Sequence, residues 1–307
     1  MTLANPKIRA ALISLVTAFF LCVTKLLTGF LTGSLAVLSS GIDSLLDIVM
    51  SGINFVAIQR AEEPPDKEHP FGHGKFETVA TILQATIISA SGLWIIYESY
   101  RRLMAGGRLV RLEGGIGVLS IGALVSWVIA RYLKRVATAT DSAALKADSI
   151  HFSMDVYTNA ALVIGLAAIS YYQITWLDSV LSMLVGLYII YEAFFLLRHG
   201  LRDVVDAELP EQLRQEIIHL IEESEGQIIE FHNLRTRRAG SQKIMDFHLV
   251  VCRKLSLEEA HGIADALEKR IESAIKGADV TIHLEPCKER PCPGPRQCSL
   301  ARKPSSP

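Results

Sequence analysis

Hydrophobic residues crowd into six stretches over the first two thirds of the chain, at about residues 8–31, 35–59, 77–100, 114–136, 144–170 and 176–197, with short polar segments between them. A helix needs about 20 apolar residues to cross a hydrocarbon core, so each stretch reads as a spanning helix. Gly, Ser and Thr scattered inside them suit helices packed on one another rather than isolated in lipid. The first stretch follows a basic start, as a signal peptide would, but it runs past Phe30 with no A-x-A cleavage pattern and reads as the first span.

After Leu201 the period changes. EQLRQEIIHLIEES reads as an amphipathic helix, QIIEFHNLRTR and QKIMDFHLVVC as strands, the next segment as a helix, and ADVTIHLEP as a last strand. Ser256 and Glu259 stand at capping-box spacing where the second of these helices should open. Met245, Phe247, Leu249 and Val251 alternate with more polar positions, as in a sheet with one face on a core. The pattern predicts a membrane domain over residues 1–200 and a small αββαβ domain over 201–286. A Pro-rich, Cys-containing tail over 287–307 reads as disordered.

Composition supports the membrane reading: 50% of the 307 residues are hydrophobic and mean hydropathy is +0.31. A net charge of -1 offers no basic stripe for a phosphate backbone, which argues against nucleic acid as a partner. Lys7 and Arg9, then Arg60, Lys67 and Lys75, then Arg131, Lys134, Arg135 and Lys146 fall on one side of a six-span topology. That places both termini in the cytoplasm. The loop after the third span disagrees, carrying Arg101, Arg102, Arg108 and Arg111 outward, where they can meet lipid headgroups.

Two spans break the apolar pattern. Asp43 and Asp47 lie one helical turn apart in the second, and His151 and Asp155 repeat that spacing in the fifth. Asp47 is 13 residues before Arg60, about 19 Å along a helix, so its pair sits near mid-membrane. Each such group costs about 3 kcal/mol at the bilayer centre on insertion scales. Hydrogen bonds to neighbouring hydroxyls and amides are the ordinary compensation, and suffice for Asn54 and Asn159. Three carboxylates and an imidazole on two facing helices instead supply four ligands for a tetrahedral divalent ion such as zinc. In the loop after the second span, Asp66, His69 and His73 are a plausible further metal group, although a solvated loop turning at Gly72 and Gly74 fits nearly as well.

The D-x3-D and H-x3-D pairs, HPFGHGKFE after the second span and HNLRTRRAG in the C-terminal domain together resemble the cation diffusion facilitator family, its bacterial YiiP-type members in particular. The resemblance covers nearly the whole chain up to Cys287. It implies a homodimeric antiporter of divalent metal and protons, with six spans and a cytoplasmic metallochaperone-like domain. Carried over by motif, the transport site is Asp43, Asp47, His151 and Asp155, and a His beside three Asp resembles zinc and cadmium carriers, with iron a further candidate. The resemblance also strengthens the metal reading of Asp66, His69 and His73, and matches Lys75 and Asp206 to a family ion pair. His232, His248, His261, His283 and Glu285 resemble the family's binuclear site at the dimer interface, with Glu285 standing where the YiiP type has Asp. Bound divalent metal is then the only cofactor, and protons are the coupling ion.

His199 and His219 read as solvated, and Cys22 and Cys252 as packed in apolar runs. Cys287, Cys292 and Cys298 fall in a tail on the reducing side, where structural disulfides are not expected. A membrane-bound metal sensor or scaffold that binds zinc without moving it is the alternative to transport. No H-E-x-x-H occurs to support a metallopeptidase, and the chain reads as a transporter rather than an enzyme.

Overall fold

A computed structural model describes residues 4–32, 35–104, 116–172, 176–224 and 228–288, with Cys292 and Gly294, and side chains in these ranges except at 32, 35–40, 42, 43, 116, 118, 119, 162–172, 177 and 178. The chain divides into two compact units, Met1–Leu201 and the part from Arg202 onward.

Six long helices build the first unit: α1 (Pro6–Thr32), α2 (Leu35–Ala61), α3 (Lys75–Met104), α4 (Ile116–Thr140), α5 (Ala143–Tyr172) and α6 (Trp176–Val204), the last running on into the second unit. Among the described residues, Pro6–Leu31, Lys75–Met104 and Ser179–Val204 meet the length and composition needed to span. The other three helices lie partly outside the described side chains, and α2 and α5 are the two that carry the aspartate pairs. Pro64 and Pro65 follow the end of α2, where a helix cannot continue. Between α4 and α5 the chain turns at Asp141, with φ 54°, and the Ser142 hydroxyl accepts from the Leu145 N–H at 3.3 Å as an N-cap.

Packing in this unit inverts that of a soluble protein. Phe19, Phe20, Phe30, Trp94, Tyr191 and Phe194 are exposed, while Ser14, Ser51, Asn54, Glu77, Gln84 and Asp148 are buried. Large apolar side chains turned outward are what lipid tails accept. One core joins α1, α2, α4 and α5 through small residues such as Ala10, Ala11, Ala18 and Ala144, closed by Leu133, Leu145 and Phe152. A second joins α3, α5 and α6 around Ile88, Met154, Ile189 and Leu196. Gly92 and Gly186 let α3 and α6 touch backbone to backbone: a Cβ at Gly92 would meet Ile190 Cγ1 at 2.8 Å, and one at Gly186 would meet Ile96 Cγ1 at 2.7 Å.

The second unit holds α7 (Glu211–Glu222), β1 (Ile228–Ala239), β2 (Gln242–Val251), α8 (Leu257–Ala274) and β3 (Ala278–Pro286). β1 and β2 form an antiparallel hairpin with Ala239 opposite Gln242, and Gly240, at φ 63°, makes its turn. β3 returns parallel to β2 after the α8 crossover, giving the order β1-β2-β3. Ser256 caps α8 with Glu259 in a reciprocal capping box. Met245, Phe247, Leu249 and Val280 pack one sheet face onto Ile217 and Ile221 of α7 and Leu267 and Ile271 of α8. The other face is left for polar side chains.

Candidate metal centres

In the first unit the deciding contact crosses from α2 to α5. His151 Nε2 hydrogen-bonds Asp47 Oδ1 at 2.9 Å, with the two side chains only 14% and 16% exposed. Asp155 lies one turn further along α5, within electrostatic reach of the same ring. Asp43 lies one turn before Asp47 on α2, and its side chain is outside the described residues. Helical spacing alone stacks such groups on one face, and the α2–α5 contact brings Asp47 and His151 together. Asn159 is bound locally, Nδ2 donating to the Asp155 carbonyl at 2.6 Å, whereas Asn54 Nδ2 donates across from α2 to the Ala144 carbonyl of α5 at 2.9 Å.

The loop after α2 gathers Asp66, His69 and His73 although it is not helical. Asp66 Oδ1 accepts from the backbone N–H of His69 and of Glu68, at 2.6 and 2.9 Å. His69 Nδ1 and His73 Nε2 each lie 3.3 Å from an Asp66 oxygen. The His69 N–H, then that of Glu68 and the two rings, hold the Asp66 carboxyl below the ordinary carboxylate range. His73 is buried, its Nδ1 has no hydrogen-bond partner among the described residues, and Gly72, at φ 79°, makes the turn that brings it back. The three ligand atoms lie within 4.8 Å of one another.

On the polar face of the sheet, register lines up three imidazoles. His232 pairs with His248 across β1 and β2, and His248 with His283 across β2 and β3. Ring centroids are 5.1 and 4.7 Å apart along that row. A register shift after His232, with Asn233 at φ 56°, ends regular pairing beside the row. Glu285, two residues beyond His283 on the same face, reaches His248 Nδ1 at 2.8 Å and His232 Nε2 at 3.7 Å. The His248 hydrogen bond, then the charges of the neighbouring rings, hold the Glu285 carboxyl below its ordinary range. His232, His248 and Glu285 form a second compact ligand group.

Comparison with known proteins identifies the chain that carries these groups. It matches the cation efflux transmembrane domain over residues 11–205 and the cation efflux protein cytoplasmic domain over residues 209–287. It is 33% identical over 282 residues to the cation-efflux pump FieF of Yersinia pestis (strain Pestoides F), across 92% of this chain and 93% of that one. The same figures hold for FieF of Yersinia pseudotuberculosis serotype O:3 (strain YPIII). This chain belongs to the cation efflux family. A solved structure of the candidate zinc transporter CzrB, in its zinc form, is 40% identical over 27% of this chain and 94% of that one, with a TM-score of 0.26.

As a cation efflux family member the protein is a transporter integral to the membrane, and its second unit is the family's dimerisation module. Other expected residues are placed less simply. His261 is exposed on α8, the helix that covers the opposite sheet face, and does not join the His232, His248 and Glu285 group. Lys75 opens α3. Asp206 sits at φ 53° and accepts from Arg237 Nη1 at 3.4 Å. Cys287 and Cys292, read from sequence as part of a disordered tail, are buried beside Cys252, while Cys298 lies outside the described residues.

Three buried charges escaped the sequence reading. Asp148 is fully buried on α5, with Ser14 Oγ of α1 donating at 2.5 Å and Ser51 Oγ of α2 at 3.5 Å. Lys25 of α1 is buried and donates to Ser44 Oγ of α2 at 2.8 Å, between the two aspartates in sequence. Glu77 of α3, also fully buried, accepts from Lys7 Nζ at 3.2 Å and from Ser142 Oγ at 2.8 Å. Signals existed: Asp148 extends the H-x3-D pair to D-x2-H-x3-D, and Lys25 is the only basic residue between Arg9 and Arg60.

Proposed function

We propose that this protein exports divalent cations of the zinc class, with cadmium and iron as further cargo, from the cytoplasm in exchange for protons. The observation that carries the reading is the His151–Asp47 pair inside the helical unit. With Asp43 and Asp155 ionised and His151 neutral, four ligands from α2 and α5 carry a formal charge near -3. Such a site needs a divalent ion or protons to persist away from water. Metal binds deprotonated ligands and therefore expels protons, and protons arriving on the other side expel metal. His151 contributes the group whose ordinary titration falls nearest physiological pH. Rocking of one helix group against another exposes the site alternately. The two separate apolar cores, and the glycine contact between α3 and α6, supply surfaces on which such sliding can occur.

The remaining assignments belong to the same proposal. The spanning region covers residues 1–200 and the dimerising metal domain 201–286, in an inner-membrane homodimer with both termini cytoplasmic. Asp66, His69 and His73 bind metal at the membrane surface. His232, His248, His283 and Glu285, with His261, bind it between protomers. The two metal groups outside the helices also favour a second reading, a membrane-bound sensor that binds zinc and moves none. Zinc, cadmium, iron and manganese flux into proteoliposomes under an imposed pH gradient separates the two. Zinc movement with opposing proton movement, lost in Asp47→Ala, is the expected result. Zinc binding without flux in the native protein would make it a sensor.

A further inference from the structure

Beyond the His–carboxylate groups, the end of the sheet gathers sulfur. Cys252 follows the last residue of β2 and Cys287 the last residue of β3. The two strand ends are tied by the Cys287 N–H donating to the Val251 carbonyl at 2.9 Å. Cys292 Sγ lies 3.6 Å from Cys252 Sγ, and Cys287 belongs to the same buried cluster. All three side chains are buried, at 4–8% exposed, under Ile229 and Leu255.

We propose that Cys252, Cys287 and Cys292 form a thiolate site for a soft divalent metal, zinc or cadmium, that fastens Cys292 to the end of the sheet. Three observations suit a metal there. Tetrahedral zinc–thiolate bonds of about 2.3 Å put sulfurs about 3.8 Å apart, a spacing that the 3.6 Å between Cys252 and Cys292 already matches for that pair. Backbone amides two residues on stand close enough to favour the charged form of two of the sulfurs, Lys254 N–H for Cys252 and Gly294 N–H for Cys292. Gly294 can do so because it adopts φ 96°. Donors fixed in that way hold a thiolate in place and offset its charge, as outer partners of metal ligands do. Positive charge is also at hand, since Arg253 and Lys288 line a cavity of about 350 Å³ with Glu285, Pro286 and Cys287. Three thiolates around a divalent ion leave one net negative charge, which these cations balance.

Binding forms three metal–sulfur bonds and releases the three Sγ–H protons to solvent; nothing is oxidised. The fourth position is left to water or another donor. Soft thiolates separate this site from the His and carboxylate groups, which suit harder coordination. Glu285 and Cys287 border the same cavity, so an ion held by sulfur stiffens the strand end that also presents Glu285.

The test is cadmium titration of the full-length, reduced, metal-free protein in detergent, read by ultraviolet thiolate-to-metal charge transfer, to which His and carboxylate sites are silent. A band saturating at one ion per chain, and lost in the Cys252→Ser, Cys287→Ser, Cys292→Ser variant, is the expected result. Because that variant can fail to fold, alkylation of the native protein is mapped by mass with and without zinc, which should shield these three cysteines. No band, a band that survives the triple substitution, equal alkylation with and without zinc, or a Cys252–Cys292 disulfide after rapid thiol capture would each overturn the proposal. Zinc flux in proteoliposomes reads the transport reading separately, since neither outcome here depends on it.

Discussion

The membrane unit and the sheet unit use the same two side chains, imidazole and carboxylate, in opposite settings. His151 and Asp47 meet across two helices with little exposure, whereas His248 and Glu285 meet on an open sheet face, each 28% exposed. In the helical unit each charge is answered from within: Ser14 and Ser51 at Asp148, Ser44 at Lys25, and Lys7 and Ser142 at Glu77. On the sheet, water can supply what a missing partner does not. The contrast teaches that the cost of losing one ligand is set by surroundings rather than by ligand type. A membrane site is therefore expected to fail as a unit, and a sheet site to weaken by degrees.

The largest effect that sharpens this contrast is Asp47→Ala. It removes a proposed ligand and the partner of His151 at once, and zinc flux in proteoliposomes should fall to background, beyond the roughly 10–100-fold cost of losing an outer partner of a ligand. Flux within twofold of native would break the comparison at its strongest point. Next comes Asp148→Leu, which leaves the Ser14 and Ser51 hydroxyls buried with fewer partners. Thermal unfolding in detergent should register a loss of about 1–3 kcal/mol. Asp148→Asn keeps a hydrogen-bonding side chain and should recover most of that stability; an Asn variant as unstable as the Leu variant would mean that charge, not hydrogen bonding, is what the site needs.

Lys25→Met probes the same interior by removing positive charge. Ser44 lies on α2 between Asp43 and Asp47, so the ammonium it anchors opposes a divalent ion held there. Metal should bind more tightly in the variant, of order tenfold, equivalent to about 1.4 kcal/mol, and leave more slowly. Calorimetric zinc binding together with flux distinguishes this from simple loss of packing, which would weaken both.

Much of the contrast was legible in the sequence. Six apolar runs became six helices, and α7-β1-β2-α8-β3 follows the expected order because the period switches after Leu201 and the capping box fixes the start of α8. The D-x3-D and H-x3-D spacings located the Asp47–His151 contact because a helix repeats every 3.6 residues. The row of His232, His248 and His283 depends on strand register, which alternation constrains only to one face. Asp148, Lys25 and Glu77 were missed because their partners come from other helices, Ser14 or Lys7 on α1 among them. The cysteine cluster was hidden for a similar reason: a Pro-rich tail resembles disorder, yet Cys287 pairs with Val251 and Cys292 is buried with Cys252.

On the sheet side, His248→Ala should cut zinc affinity of the extramembrane domain by about 10–100-fold while transport at saturating zinc persists. Equilibrium dialysis of the full-length protein gives the first quantity and proteoliposome flux the second. A collapse of flux as complete as that of Asp47→Ala would erase the distinction between the two regions.

The smallest effect is expected from Glu285→Asp. Retracting the carboxylate by one methylene lengthens its 2.8 Å contact with His248 and its 3.7 Å approach to His232, yet keeps charge and face. Zinc affinity should change by less than tenfold, because an exposed site can admit water into the gap. Acid unfolding of the metal-free protein gives a companion reading. The Glu285 carboxyl is held below its ordinary value of 4.5 by the His248 hydrogen bond, so its contribution to stability is complete above that pH. That contribution is lost as pH falls through the lower folded value, where the folded state must take up the proton. Shortening the side chain weakens the bond that depresses the value, so native and variant curves should coincide near neutrality only after a constant offset, and should converge in acid. Curves that diverge as pH falls would mean that the His248 contact does not hold the carboxylate in its charged form, and that the open face of the sheet is less forgiving than the comparison with the membrane site implies.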